Sequence, residues 1–309
     1  MKKTVVITGV DGFIGSHLVK HLSHKYNIIG IDRKNNHGYR DKKGFTFLKM
    51  DINDGIPLIN INKEIYGVVH LAARAGVRDS HINFKEVCKD NILATQTIIR
   101  KCAEDWHPRK LLIASSSSVY GNSYRLMSED CQLNPLSPYA LSKLTCEKLL
   151  KMYKRNRYLD DIESAALRFF TVYGPNQRDD LAIQSFIYNI LRDKPITVYG
   201  DGQQSRDFTY IEDVCAAIDC MLEKSNYIKK EVYNIGSGKP RSLNSVIRDI
   251  SRIINKSVTI IYKEKNPFDV QKTFADISRM YNNFGWKPKT SWEVGLRRQI
   301  EWNKSNLGL

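Results

Sequence analysis

Short apolar, β-branched runs alternate with amphipathic stretches through the first half of the chain. The runs at 4–8, 27–31, 45–50, 67–71, 110–114 and 164–169 predict strands, and the stretches at 14–23, 84–103 and 139–153 predict helices. Strands that are apolar on both faces need cover on both faces. Their alternation with helices predicts an α/β architecture with a doubly wound, mostly parallel sheet and right-handed crossovers. Beyond about residue 170 the pattern loosens. Strands at 196–199, 231–235 and 258–262 mix with helices at 181–191, 212–223 and 243–254, which predicts a second, smaller α/β lobe over the carboxyl edge of the sheet.

Length and composition narrow the class without naming a chemistry. The 309 residues are 42% hydrophobic and 26% charged, ordinary globular values. No apolar run approaches the roughly 20 residues that span a bilayer, and the N-terminal segment runs straight into a glycine loop, so it reads as a first strand. The six cysteines form no C-x-x-C pair, so the expectation is reduced thiols in a cytoplasmic protein and no metal. The net charge is +15, but Lys and Arg are spread along the chain and no nucleic-acid-binding motif is present. The expectation is therefore no nucleic-acid and no membrane partner, with a positive field that favours an anionic substrate.

The first strand, Thr4-Val-Val-Ile-Thr8, leads into Gly9-Val-Asp-Gly12-Phe13-Ile14-Gly15 and a helix. Gly9 permits the tight turn, Gly12 admits a pyrophosphate close to the backbone, and Gly15 lets helix and strand pack closely. The helix N-terminus favours the phosphates. This is a Rossmann-type dinucleotide site, expected over 1–170 with segments near 207–236 returning to it, and a mainly substrate-binding lobe over 171–309. Asp32, at the end of the second strand, is placed to accept hydrogen bonds from the adenosine ribose, which favours NAD; Arg33 beside it leaves NADP open, because a guanidinium holds a 2′-phosphate. Asp51 and Ile52 are placed for the adenine. Leu71, Ala72 and Ala73 end the fourth strand with room for the ribose and nicotinamide.

Ser137-Pro138-Tyr139-Ala-Leu-Ser-Lys143 starts a helix, with Ser137 as cap and Pro138 at the first position. Tyr139 and Lys143 lie one turn apart on one face. A phenol ordinarily loses its proton near pH 10, and a neighbouring ammonium and an oxidised nicotinamide each favour the phenolate. Bringing such a group to neutrality takes about 4 kcal/mol of differential interaction, within reach of two close cations in a partly dry cleft. Ser115-Ser116-Ser117-Ser118 leaves the fifth strand with hydroxyls suited to holding a reacting alcohol.

These motifs together resemble the extended short-chain dehydrogenase/reductases, specifically the nucleotide-sugar 4-epimerases, over nearly the whole chain. The resemblance implies that Ser116 holds the sugar hydroxyl, that Tyr139 is the base and Lys143 its activator, and that Tyr139 and Lys143 also contact NAD. It implies oxidation at C4 followed by return of hydride to the other face. Related 4,6-dehydratases carry Asp-Glu where this chain has Ser117 and Ser118, and the related decarboxylases carry Glu in place of Ser118. Hydroxyls are too weak for those eliminations.

Leu167–Arg178 and His70–Ser80 are similar to the versions in UDP-glucuronate 4-epimerases. That resemblance implies contacts from Thr171 and Arg178 to a C6 carboxylate and a substrate role for Arg78, Ser117 and Ser118. Asp179, where that subgroup has proline, sets a negative charge beside the proposed carboxylate site. Arg206, in Gly200–Asp213, is expected on the UDP pyrophosphate. Epimerisation of a neutral UDP-hexose and a catalytically silent NAD-binding regulator stand as alternatives. The helical stretches 84–103 and 139–153 resemble the pair through which the family forms homodimers.

Overall fold

The computed structural model describes residues 2–34, 43–54, 64–77, 79–122, 125–224, 227–265 and 269–309. In chain order the elements are β1 (Thr4–Thr8), α1 (Phe13–Leu22), β2 (Asn27–Asp32), β3 (Phe45–Lys49), β4 (Ile65–His70), α2 (Asp79–Ile82), α3 (Phe84–Val87), α4 (Ala94–Lys101), β5 (Lys110–Ser116), α5 (Pro138–Arg155), β6 (Glu163–Phe169), β7 (Thr171–Tyr173), α6 (Ala182–Leu191), β8 (Ile196–Tyr199), β9 (Ser205–Tyr210), α7 (Ile211–Glu223), β10 (Val232–Ile235), β11 (Pro240–Ser242), α8 (Leu243–Ile254), β12 (Ile260–Lys263), α9 (Ser278–Phe284) and α10 (Trp292–Leu307).

Among the described residues, seven parallel strands form the main sheet in the order β10-β6-β5-β4-β1-β2-β3. The central strands feed two cores by simple alternation. Val5 and Ile7 of β1 join the core that includes α1 and α7, whereas Val6 joins the core under α4 and α5. Successive side chains point to opposite faces, which is why these runs are apolar throughout. β10 enters this sheet from late in the chain, with Val232 opposite Ala166, and α7 packs against α1.

Among the described residues, the other strands form a three-stranded sheet, β11-β9-β7, and a two-stranded one, β12-β8. Sequence periodicity did not indicate β7, β9, β11, α9 or α10. The expected helix over 84–103 is a continuous run that reaches Trp106, with widened turns at Cys88–Leu93 and Cys102–Trp106, and it stops where His107 takes a left-handed conformation, φ 41°. α5 begins as the sequence suggests: the Ser137 hydroxyl accepts from the Ala140 amide at 3.1 Å and Pro138 occupies the first turn. No helix of the described residues is long and apolar enough to cross a membrane.

Candidate active site

The carboxyl ends of the main-sheet strands carry most of the singled-out residues to one edge. Gly9 leaves β1 at φ +74°, a conformation that disfavours any Cβ, and a Cβ there would lie 2.7 Å from the Ala72 amide nitrogen. A Cβ on Gly15 would lie 2.0 Å from the Gly9 carbonyl oxygen. The loop and the first turn of α1 are therefore packed backbone to backbone, and the first amides of α1 have no partners inside the helix. Gly9, Asp11, Gly12, Asp32, Asp51, Ile52, Leu71, Ala72 and Ala73 line one cleft. Phe13, Ile14 and Gly15 form the helix turn behind it.

The donors and acceptors of this cleft fit a dinucleotide. Asp32 is pinned by the Asp11 amide (3.0 Å) and the Lys34 amide (3.0 Å), so its carboxylate is held at the cleft rim with lone pairs left for ribose hydroxyls. Asp51 accepts from the amide and the side chain of Asn53 at 2.9 and 3.1 Å; burial raises its pKa, but these bonds together with the charges of Lys89 and Arg33 hold the carboxyl below its usual range. Arg33, which left the choice of cofactor open, forks onto the buried Asp90 at 3.2 and 3.0 Å, and Arg74 Nε reaches the same carboxylate at 3.2 Å. A guanidinium committed in this way is a poor anchor for a 2′-phosphate. The fit is to NAD.

His70, the last residue of β4, is buried and bonded on both ring nitrogens, to Thr8 Oγ1 at 2.7 Å and Thr95 Oγ1 at 3.1 Å. Burial first, and the charge of Lys143 second, push its pKa down to about 3. The imidazole is neutral, and Thr8 Oγ1 in turn accepts from the Ala72 amide at 3.2 Å. A polar pin thus runs beneath the floor of the cleft.

Tyr139 and Lys143 share a face of α5, which packs on β5 and on the turn after it. The Lys143 ammonium is buried and donates to the Ala114 carbonyl at 3.0 Å, which ties it to the end of the strand that carries the serines. Ser116 Oγ accepts from the Ser118 amide (3.2 Å) and the Ser118 hydroxyl (2.9 Å), leaving its own proton to donate. Ser117 is buried. Ser116 stands opposite Phe169 at the end of β6, and Thr171 opens β7 two residues later.

Two residues not singled out from the sequence anchor this arrangement. Glu147 lies one turn beyond Lys143 on the same face and accepts from Ser115 Oγ at 2.5 Å and from Arg168 of β6 at 2.9 and 2.7 Å. Arg168 also donates to the Tyr120 hydroxyl at 2.9 Å, which donates to Asn234 at 2.7 Å. The i, i+4, i+8 spacing of Tyr139, Lys143 and Glu147 was the available signal for Glu147.

In the second lobe, Arg206 sits on β9 with Nη1 donating to the Ser205 and Gln271 carbonyls at 3.0 and 3.4 Å; burial lowers its pKa. Arg178 reaches back to the first lobe, its Nη1 donating to the Ala75 carbonyl at 2.8 Å. The carboxylate on its fork is that of Asp180, at 2.9 and 2.5 Å, whereas the sequence had pointed to Asp179 as the competing charge. Arg78 lies outside the described residues. Among the described residues no group of His, Cys, Asp and Glu is arranged to hold a metal ion.

The chain is similar to known proteins over nearly its whole length. Residues 5–236 match the NAD dependent epimerase/dehydratase family. A Bacillus subtilis (strain 168) protein described as an uncharacterized UDP-glucose epimerase is 38% identical, covering 97% of this chain and 98% of its own length. The UDP-glucuronate 4-epimerase of Thermodesulfobacterium geofontis is 36% identical over 98% of this chain and 97% of its own. The crystal structure of UDP-glucuronic acid 4-epimerase from Bacillus cereus, in complex with UDP-glucuronic acid and NAD, superimposes with a TM-score of 0.92 at 35% identity, covering 98% and 99% of the two chains.

Proposed function

We propose, from the premise that this chain belongs to the NAD dependent epimerase/dehydratase family, that it is an NAD-dependent nucleotide-sugar 4-epimerase interconverting UDP-glucuronate and UDP-galacturonate. The observation that carries the reading is the buried Lys143 ammonium tied to Ala114 at the end of the serine-bearing strand, one helical turn from Tyr139. NAD, when bound, supplies a reversible hydride acceptor. Gly9, Gly12 and the first turn of α1 hold its pyrophosphate, Asp32 its adenosine ribose, Asp51 and Ile52 its adenine, and Leu71, Ala72 and Ala73 flank its nicotinamide half.

Ser116 donates its free proton to the sugar's C4 oxygen and sets the distance to Tyr139. Tyr139 removes the C4 hydroxyl proton, and Lys143 stabilises the phenolate. The sugar carbonyl formed at C4 then turns over in the pocket, and Tyr139 returns the proton as the opposite face is reduced. Ser117 and Ser118 provide no acid or base for loss of water or of carbon dioxide, so the sugar leaves with its atoms unchanged. In this reading Arg206 would hold the UDP pyrophosphate and Thr171 and Arg178 the C6 carboxylate, with Arg78 a further candidate. Similar proteins described as UDP-glucose epimerases, one of them uncharacterized, support epimerisation of a neutral UDP-hexose as the second reading.

Purified protein given UDP-glucuronate is expected to form UDP-galacturonate without added reductant and with nearly flat absorbance at 340 nm. Tyr139→Phe is expected to lower kcat by about 10²–10⁴. UDP-xylose or a 4-keto-6-deoxy sugar as product defeats the reading. The protein is also proposed to act in the cytoplasm as a homodimer, with support from the exposed apolar residues Ile82, Phe84, Leu93 and Leu141 on α2 to α5 and the segments between them. A monomer by light scattering at assay concentration removes the dimer.

A further inference from the structure

We infer that Asp180 sets the preference between acidic and neutral sugars by competing with the substrate for Arg178. The inference rests on the reading that Arg178 receives the C6 carboxylate. A guanidinium offers a carboxylate two parallel N–H pairs, Nε with Nη2 and Nη1 with Nη2. In Arg178, Asp180 engages Nε and Nη2 at 2.9 and 2.5 Å and the Ala75 carbonyl holds Nη1 at 2.8 Å, so neither pair is open. The fork is thus already filled by an internal carboxylate of the same geometry as the ligand proposed for it.

The remaining contact fixes the sign of the effect. Arg178 Nη1 is held by the Ala75 carbonyl at 2.8 Å, on the segment that follows β4 and lines the cofactor cleft. That bond tethers the guanidinium to a segment other than the one that carries Asp180, so one anchor remains when Asp180 is neutralised. Asp180 is 60% exposed on its side chain and Arg178 39%, so the pair is weak and an incoming carboxylate displaces it at modest cost. The displaced charge stays nearby on the same short segment and repels the sugar acid. A neutral hydroxymethyl group at C6 meets neither obstacle. Asp180 thus lowers the advantage that Arg178 gives to acids.

The test compares wild type, Asp180→Asn, Arg178→Ala and the double variant, with KM and kcat measured for UDP-glucuronate and UDP-glucose and Kd measured by calorimetry for the same two ligands. Asp180→Asn is expected to lower KM and Kd for UDP-glucuronate about two- to five-fold, the range of an exposed ion pair, and to leave UDP-glucose unchanged. In the Arg178→Ala background the Asp180 effect disappears. An unchanged or raised value for UDP-glucuronate, or an equal shift for both ligands, overturns the inference. If Arg178→Ala weakens the acid selectively while Asp180→Asn does nothing, only the role of Asp180 falls. If Arg178→Ala is not acid-selective, or wild type does not bind UDP-glucuronate, the carboxylate reading falls and takes the inference with it.

Discussion

Acid should destabilise this protein through His70, by an amount that follows from its position. The imidazole is 3% exposed at the end of β4, and its pKa is pushed down to about 3 by burial and then by Lys143. In the unfolded chain the same group titrates near 6.5. Between these values the unfolded state binds a proton that the folded state refuses, so stability rises with pH across the window. The contribution is fully present above about pH 6.5 and is lost as pH falls toward 3. From pH 7 to pH 5 the loss is about 2 kcal/mol, and by pH 3 it reaches roughly 4 kcal/mol. The assay is urea unfolding of wild type and His70→Gln at pH 7, 6 and 5. The variant is less stable at pH 7, because it loses the bonds to Thr8 and Thr95, but its stability should fall less steeply with acid, by about 2 kcal/mol over that span. Parallel pH profiles for the two proteins, or an imidazole NMR titration showing protonation above pH 5, would refute the argument.

Three further outcomes follow from the same geometry. Gly15→Ala puts a Cβ 2.0 Å from the Gly9 carbonyl oxygen, so the loop must move; the overpacking costs about 1–3 kcal/mol, read as a lower Tm together with loss of NAD binding by calorimetry. Asp32→Ala removes a charged acceptor from the cleft rim and should weaken NAD by about 10- to 100-fold, the worth of charge-assisted bonds of about 1.5–3 kcal/mol; an unchanged Kd would displace Asp32 from the ribose. Glu147→Ala leaves the buried Arg168 guanidinium without its carboxylate and should cost about 3–5 kcal/mol in urea unfolding, whereas Glu104→Ala, which opens the exposed pair with Arg100, should leave the midpoint in place.

Much of the dinucleotide half was legible in the order of residues, because its determinants are local. β1, the glycine loop and α1 are specified by adjacent residues: an apolar run, a glycine that tolerates positive φ, and an amphipathic stretch. The Ser137 cap and Pro138 fix the start of α5, and the 3.6 period then sets Tyr139 and Lys143 on one face. The second lobe was less legible. Ser205-Arg-Asp-Phe-Thr-Tyr210 shows no clean apolar alternation, and it is a strand because β7 and β11 supply its hydrogen bonds from 171–173 and 240–242. The widened turns at Cys88–Leu93 and Cys102–Trp106 likewise have no periodic signature.

Sequence alone determined the glycine loop, the start of α5 and the shared helix face of Tyr139 and Lys143, since spacing along a helix or strand translates directly into direction. Only the tertiary structure decided how the charged groups are committed: Arg33 to Asp90, Glu147 to Arg168, and Arg178 to Asp180 and Ala75. A charged side chain takes whichever partner the fold brings within about 3 Å, and apart from Asp180 each of these partners lies on a separate element. Strand order and lobe packing set those distances, and the local pattern of residues carries no record of them.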